Sequence, residues 1–153
     1  MKNEFFITSK KQMAVKGTAN VLIDSLAPFT GVVDTFGTDG EYVVVIAKQQ
    51  FDAKRSASLH CEFKADITNG KHNYEEDSGL RISYMLSEEV ELGTKFTPYP
   101  AVYGSGTLDV TFDLVKGTLA LGFDLDVQNN PTEPRLKAKG AFRDVSDLDH
   151  LKK

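Results

Sequence analysis

An all-β fold is what this sequence predicts. The expected form is one domain spanning residues 1–153, a compact antiparallel β-barrel or two-sheet sandwich of about 8–10 strands with a C-terminal meander and a short terminal helix. Three observations lead there. Apolar and polar residues alternate with period two over most of the chain, which gathers the apolar set on one face of each strand. Turn residues separate these runs at short intervals. A long amphipathic helical pattern is missing, so βαβ crossovers have nothing to be built from.

Taken in order, Glu4–Ser9 reads as a first strand and Lys10-Lys11-Gln12 as a polar turn. Met13–Asp24 is a long strand with Val15, Gly17, Ala19, Val21 and Ile23 on one face, and Gly17 marks a bulge or a close backbone approach. Ser25–Gly31 contains Pro28 and reads as a loop, while the glycines of Gly31–Gly40 leave that piece open between strand and loop. Tyr42–Ala47 is short, β-branched and apolar throughout, which predicts a strand buried on both faces. Phe51–Ser56 is a loop. Ala57–Thr68 alternates, with Ala57, Leu59, Cys61, Phe63, Ala65 and Ile67 inward, and Asn69-Gly70 turns the chain. Lys71–Gly79 is polar. Leu80–Leu86 is a strand with Leu80, Ile82, Tyr84 and Leu86 on one face. Ser87–Lys95 reads as a turn or a short edge strand. Phe96–Tyr103 carries Pro98 and Pro100, each lacking a backbone donor, so it is extended or an edge and not a central strand.

The clearest pattern is Gly104–Val127, a long β-hairpin. Leu108, Val110, Phe112 and Leu114 alternate with polar residues on the way out; Leu119, Leu121, Phe123, Leu125 and Val127 do so on the way back. A turn at Lys116-Gly117 pairs Leu114 with Leu119 and Leu108 with Leu125, and sets Asp109 opposite Asp124. Arg135–Arg143 adds a third strand with Leu136, Ala138, Gly140 and Phe142 inside. On its outer face Lys137 meets Asp126 and Lys139 meets Asp124. Between these strands, Gln128–Pro134 is a loop. Ser146-Asp147-Leu148-Asp149 has the form of a capping box, and Lys152-Lys153 suits the end of a helix of roughly two turns.

The totals remove several function classes. A net charge of −4 leaves no basic footprint for nucleic acid and disfavours anionic membranes. The single cysteine, Cys61, permits no intrachain disulfide. Phe5-Phe6-Ile7 is too short an apolar run for a signal-peptide core, so a cytoplasmic protein is expected unless export uses no N-terminal signal. The chain has no Trp, which rules out the Gly-x-Trp signature of lipocalins.

Candidate chemistry is sparse. Asp109, Asp124 and Asp126 could gather a cation, but exposed carboxylates on a sheet face ordinarily pair with lysines, as the register above provides. Asp34, Asp39 and Glu41 lack the donor alternation of a calcium loop. His60 and Cys61 are adjacent on a strand and point to opposite faces, so they cannot act as base and nucleophile together. Gly104-Ser105-Gly106 matches neither a phosphate loop nor a nucleophile elbow. Recognition falls instead to aromatic residues. Phe96, Tyr99 and Tyr103 lie on a stretch stiffened by prolines, and Tyr84 lies on a neighbouring strand. The ordinary alternative for that stretch is a packed edge. The expected function is a non-enzymatic binding protein without metal or cofactor. It takes a small apolar or amphipathic ligand inside a barrel, or a protein partner along an edge, a second copy of the chain included. The alternative is a small barrel enzyme, of isomerase, cyclase or hydrolase type, with Tyr, Asp and His in the interior.

Overall fold

The computed structural model describes residues 15–151. The expected first strand at Glu4–Ser9, its turn, and Lys152-Lys153 lie outside them. Among the described residues eleven strands form one sheet: β1 Lys16–Ile23, β2 Phe29–Thr38, β3 Tyr42–Gln50, β4 Arg55–Lys64, β5 Gly70–Asn73, β6 Arg81–Val90, β7 Gly93–Pro100, β8 Thr107–Asp113, β9 Thr118–Val127, β10 Leu136–Ser146 and β11 Asp149–His150. Their order across the sheet is β5-β8-β9-β10-β1-β2-β3-β4-β6-β7, with β11 on β2. Neighbours are antiparallel, except that β11 runs parallel to β2. The sheet curls into a half-barrel, one continuous sheet and not two stacked ones. At one corner the chain after β7 meets the end of β9 through an Ala101–Val127 bridge.

The period-two pattern sets the inside. Ala19, Val21 and Ile23 of β1, Ala57, Leu59, Cys61 and Phe63 of β4, and Leu121, Phe123, Leu125 and Val127 of β9 all enter one core. Phe112, Phe123 and Phe142 share it, as the three-strand meander requires. Gly17 is a bulge, since the β1–β10 register shifts between Lys16 and Thr18. It is also a close approach: a Cβ there would sit 2.8 Å from Val145 Cα, and φ is +133°. On the outer face Lys137 pairs with Asp126 and Lys139 with Asp124, in the register that charge compensation predicts. Lys137 Nζ lies 3.7 Å from Asp126 Oδ1.

Four expectations need correction. The β8–β9 register is displaced by two residues: Phe112 faces Leu119, Leu108 faces Phe123, and Asp109 faces Gly122 rather than Asp124. An even displacement keeps every side chain on its face. Its cause is Asp113, whose carboxylate accepts the Lys116 N–H at 2.9 Å and ends the strand early, with Gly117 at φ +69° completing the turn. Leu114 falls into that turn. Second, β3 is buried on its inner side only; Tyr42, Val44 and Ile46 are half-exposed, because among the described residues no second layer covers the outside of the sheet. Third, the Ala57–Thr68 strand stops at Lys64, and Ala65 and Ile67 pack from a turn. Fourth, the chain end is not helical. Asp147 takes a left-handed φ of 65°, which breaks any right-handed helix, and Asp149–His150 joins, as a strand, the end of β2 beyond its pairing with β1. Leu151 N–H then donates to Thr38 O at 2.8 Å. Among the described residues, no helix is long and apolar enough to cross a membrane, a statement about helices alone.

A candidate ligand site at one end of the half-barrel

The middle of the half-barrel is filled by Phe, Leu and Val side chains, and the open space lies at its ends. The cavity with the stronger chemistry has a volume of about 390 Å³ and lies where β6 and β7 run past the β1–β2 and β3–β4 loops. Leu26, Ala27, Phe51, Tyr84 and Leu86 supply its apolar wall; Arg55, Glu88 and Lys95 stand at its rim. That is within the size range of sites for small organic molecules.

Each wall is positioned by local chemistry. Alternation along β6 sends Ile82, Tyr84, Leu86 and Glu88 to the inner face in turn. The register then makes three rungs with β7: Tyr84 faces Tyr99, Leu86 faces Thr97, and Glu88 faces Lys95. Leu26 is delivered by a tight turn in which Ser25 holds a left-handed φ of 71° and Leu26 N–H donates to Ile23 O at 3.0 Å. A non-glycine residue in that region stores strain, and such positions cluster at binding sites. Arg55 is fixed by Asp52. One carboxylate oxygen accepts the Lys54 and Arg55 backbone N–H groups at 2.9 and 2.8 Å, and the other pairs with the Arg55 guanidinium at 2.8 Å. These contacts, the Lys54 N–H first, hold the Asp52 carboxyl below its ordinary pKa. Glu89 N–H donates to Lys54 O at 2.8 Å and ties the projecting β6–β7 hairpin to this loop.

Tyr84 is the unusual member. It is 1% exposed, its ring meets Phe29 edge-on at 5.6 Å, and Tyr99 lies 6.4 Å away. Its hydroxyl is buried and has no hydrogen-bond partner among the described residues. Leaving such a group unmatched costs roughly 1–3 kcal/mol. Burial first, and then Tyr99, pushes its pKa from 10.0 up to about 12. Tyr74, the other buried tyrosine, is also pushed to about 12 by burial, but its hydroxyl accepts the Ile82 N–H at 3.1 Å.

The four residues singled out from sequence do not form one surface. Tyr84 and Tyr99 come together on the inner face. Phe96 is on the opposite face of β7 and is 61% exposed. Tyr103 lies at the other end of β4 and β6, where it stacks on Tyr74 at 4.9 Å and borders a polar cavity with Glu62, Lys64 and Arg81. The Phe96–Tyr103 stretch does form an edge, as its prolines require, since β7 ends the sheet. Asn129 donates to Pro98 O at 2.7 Å and Gln128 N–H to Pro100 O at 3.1 Å, so this half of the edge is already engaged. Sequence reasoning missed Leu26 and Phe51, which sit on two loops far apart in the chain, and Arg55, the first residue of β4. The one local signal was Asp52 followed by Lys54-Arg55, an Asx-turn pattern that orients Arg55.

The remaining titratable candidates lie elsewhere. His60 is half-buried on the outer face, 3.0 Å from Ser58 Oγ, and burial and then Lys48 lower its pKa while Asp34 opposes them. Cys61 is in the core, and burial pushes its thiol up, as for an inert structural cysteine. Comparisons with protein-family models, with curated proteins and with solved structures give no significant match.

Proposed function

We propose that this protein binds a small, mostly apolar ligand in the cavity at the β6–β7 end of the half-barrel and performs no chemistry on it. The observation that carries this is a cavity of about 390 Å³ in which an apolar wall of Leu26, Ala27, Phe51, Tyr84 and Leu86 is accompanied by polar side chains, Ser25, Arg55 and Thr97 among them. Binding sites of this kind combine apolar lining with a few placed polar groups. Prodan, a naphthyl ketone whose emission shifts to the blue in apolar surroundings, tests it by titration. The expected result is a saturable blue shift that Leu86→Trp, filling the cavity, reduces at least tenfold in affinity. The reading fails if the wild type gives no saturable shift, or if Leu86→Trp, folded by circular dichroism, binds equally well.

A second reading, a protein partner met along β7, is favoured by the exposed Phe96 on the edge strand. Phe96→Ala would then weaken partner binding and leave prodan binding unchanged. The enzyme alternative needs Tyr, Asp and His together in the interior. His60, on the outer face beside Ser58, lends it no support.

A further inference from the structure

Apart from the apolar cavity, we propose a second binding site, for a neutral saccharide, in the polar cavity of about 560 Å³ at the opposite end of β4 and β6. What carries this is a fixed aromatic ring among charges of both signs that make no ion pairs. Tyr103 lines the cavity and is 40% exposed, with one side of its ring stacked on Tyr74 at 4.9 Å and 15° between the planes. Tyr74 is 2% exposed, so the open part of Tyr103 is the part turned away from it. Backbone bonds lock the stack: Gly104 N–H donates to Tyr74 O at 2.6 Å, and Tyr74 N–H donates to Gly106 O at 2.9 Å. Three carboxylates, Glu62, Glu76 and Asp77, and two cations, Lys64 and Arg81, line the same cavity. The β4–β6 register sets Glu62 directly opposite Arg81, yet none of the five makes an ion pair among the described residues.

These groups choose the ligand's chemistry. An anion entering here meets three carboxylates, and a cation meets Lys64 and Arg81. A sugar hydroxyl is donor and acceptor at once, so an uncharged ring donates to the carboxylates and accepts from the two cations. Its C–H face is apolar and lies against an aromatic ring, whose hydroxyl tip stays in the polar surroundings. The cationic wall is set in place by Gly79, at φ +77°: a Cβ there would sit 3.2 Å from Lys64 Cγ, so glycine leaves the room that the lysine stem occupies. A further cavity of about 290 Å³ shares Glu62 and Arg81 and continues along the sheet past His60 and Ser83. A second sugar ring extends in that direction.

Saturation-transfer NMR titrations on the intact protein test this. The neutral probes are lactose, maltose, cellobiose and chitobiose; sialyllactose and de-acetylated chitobiose are the anionic and cationic ones. At least one neutral disaccharide should bind saturably, with the strongest transfer to the C–H protons of one ring face, and the charged probes should bind at least tenfold more weakly. Tyr103→Ala should weaken the best neutral probe about tenfold, whereas Tyr103→Phe, which keeps the ring, should change it less than about twofold. Arg81→Ala, a change at an exposed position that leaves the core intact, should also cost about tenfold. Leu86→Trp, in the apolar cavity, should leave sugar binding unchanged. The inference is overturned if no neutral disaccharide binds the wild type, if a charged probe binds as tightly as the best neutral one, or if Leu86→Trp abolishes sugar binding. It is equally overturned if Arg81→Ala, or Tyr103→Ala folded by circular dichroism, binds like the wild type. Prodan reports on the other cavity, so the apolar-ligand reading stands or falls separately.

Discussion

Replacing Phe142 by alanine gives the most direct measure of whether the curled sheet encloses one interior. Phe142 is 0% exposed on β10, with Ala19 of β1 on one side and Leu121 of β9 on the other. Burying a side chain of this size stabilises by about 1.5–3 kcal/mol. Removing it also leaves a cavity that the rigid strands around it cannot close, which brings the expected loss to roughly 3–5 kcal/mol. For a chain of this length that lowers the melting temperature by about 6–20 °C. Phe96→Ala is the matched control: the same truncation on an exposed side chain should change stability by no more than about 0.5 kcal/mol. Urea unfolding followed by circular dichroism reads both. The midpoint should fall for Phe142→Ala with an unchanged slope, because the surface exposed on unfolding is nearly the same. If Phe142→Ala loses less than about 1 kcal/mol, or Phe96→Ala loses as much, the inside and outside of this sheet have been misassigned.

Other predictions follow from the charges. Tyr74 and Tyr84 have pKa values of about 12 in the fold against 10.0 ordinarily, so the unfolded chain loses these protons first. Stability should therefore be intact below pH 10 and fall as pH rises towards 12, and urea midpoints taken across that window should fall less steeply in Tyr84→Phe. The Asp126–Lys137 pair is partly shielded, with the carboxylate side chain 18% exposed. A double-mutant cycle should yield a coupling of about 0.2–1 kcal/mol that shrinks at high salt. A coupling of zero at low salt would show that register, not attraction, brings the two together.

The outer-face ladder illustrates how far local sequence reaches. Asp124 and Asp126 oppose Lys139 and Lys137 because strands β9 and β10 are adjacent in the chain, and only one register both buries Phe123 and Phe142 and pairs the charges. Where a single side-chain hydrogen bond decided the outcome, as Asp113 does at the β8–β9 turn, alternation could not detect a displacement that preserves the faces. The chain end shows the same limit. Ser146–Asp149 has helix-start residues, yet the unpaired end of β2 offered backbone partners that an isolated short helix does not have.

What the residues alone determined was the all-β character, the inward set of most strands and the edge role of Pro98 and Pro100, because each depends on neighbours one or two positions away. What only the tertiary structure decided was the site. Tyr84 stands out in the sequence only as an aromatic residue beside the proline-stiffened stretch, Leu26 and Phe51 look like ordinary loop residues, and Arg55 looks like the start of any strand; the curl of the sheet brings two loops and a hairpin around one tyrosine and leaves its hydroxyl unmatched among the described residues. Such a vacancy in hydrogen bonding arises from contacts between distant segments, and a pattern read along the chain carries no trace of it.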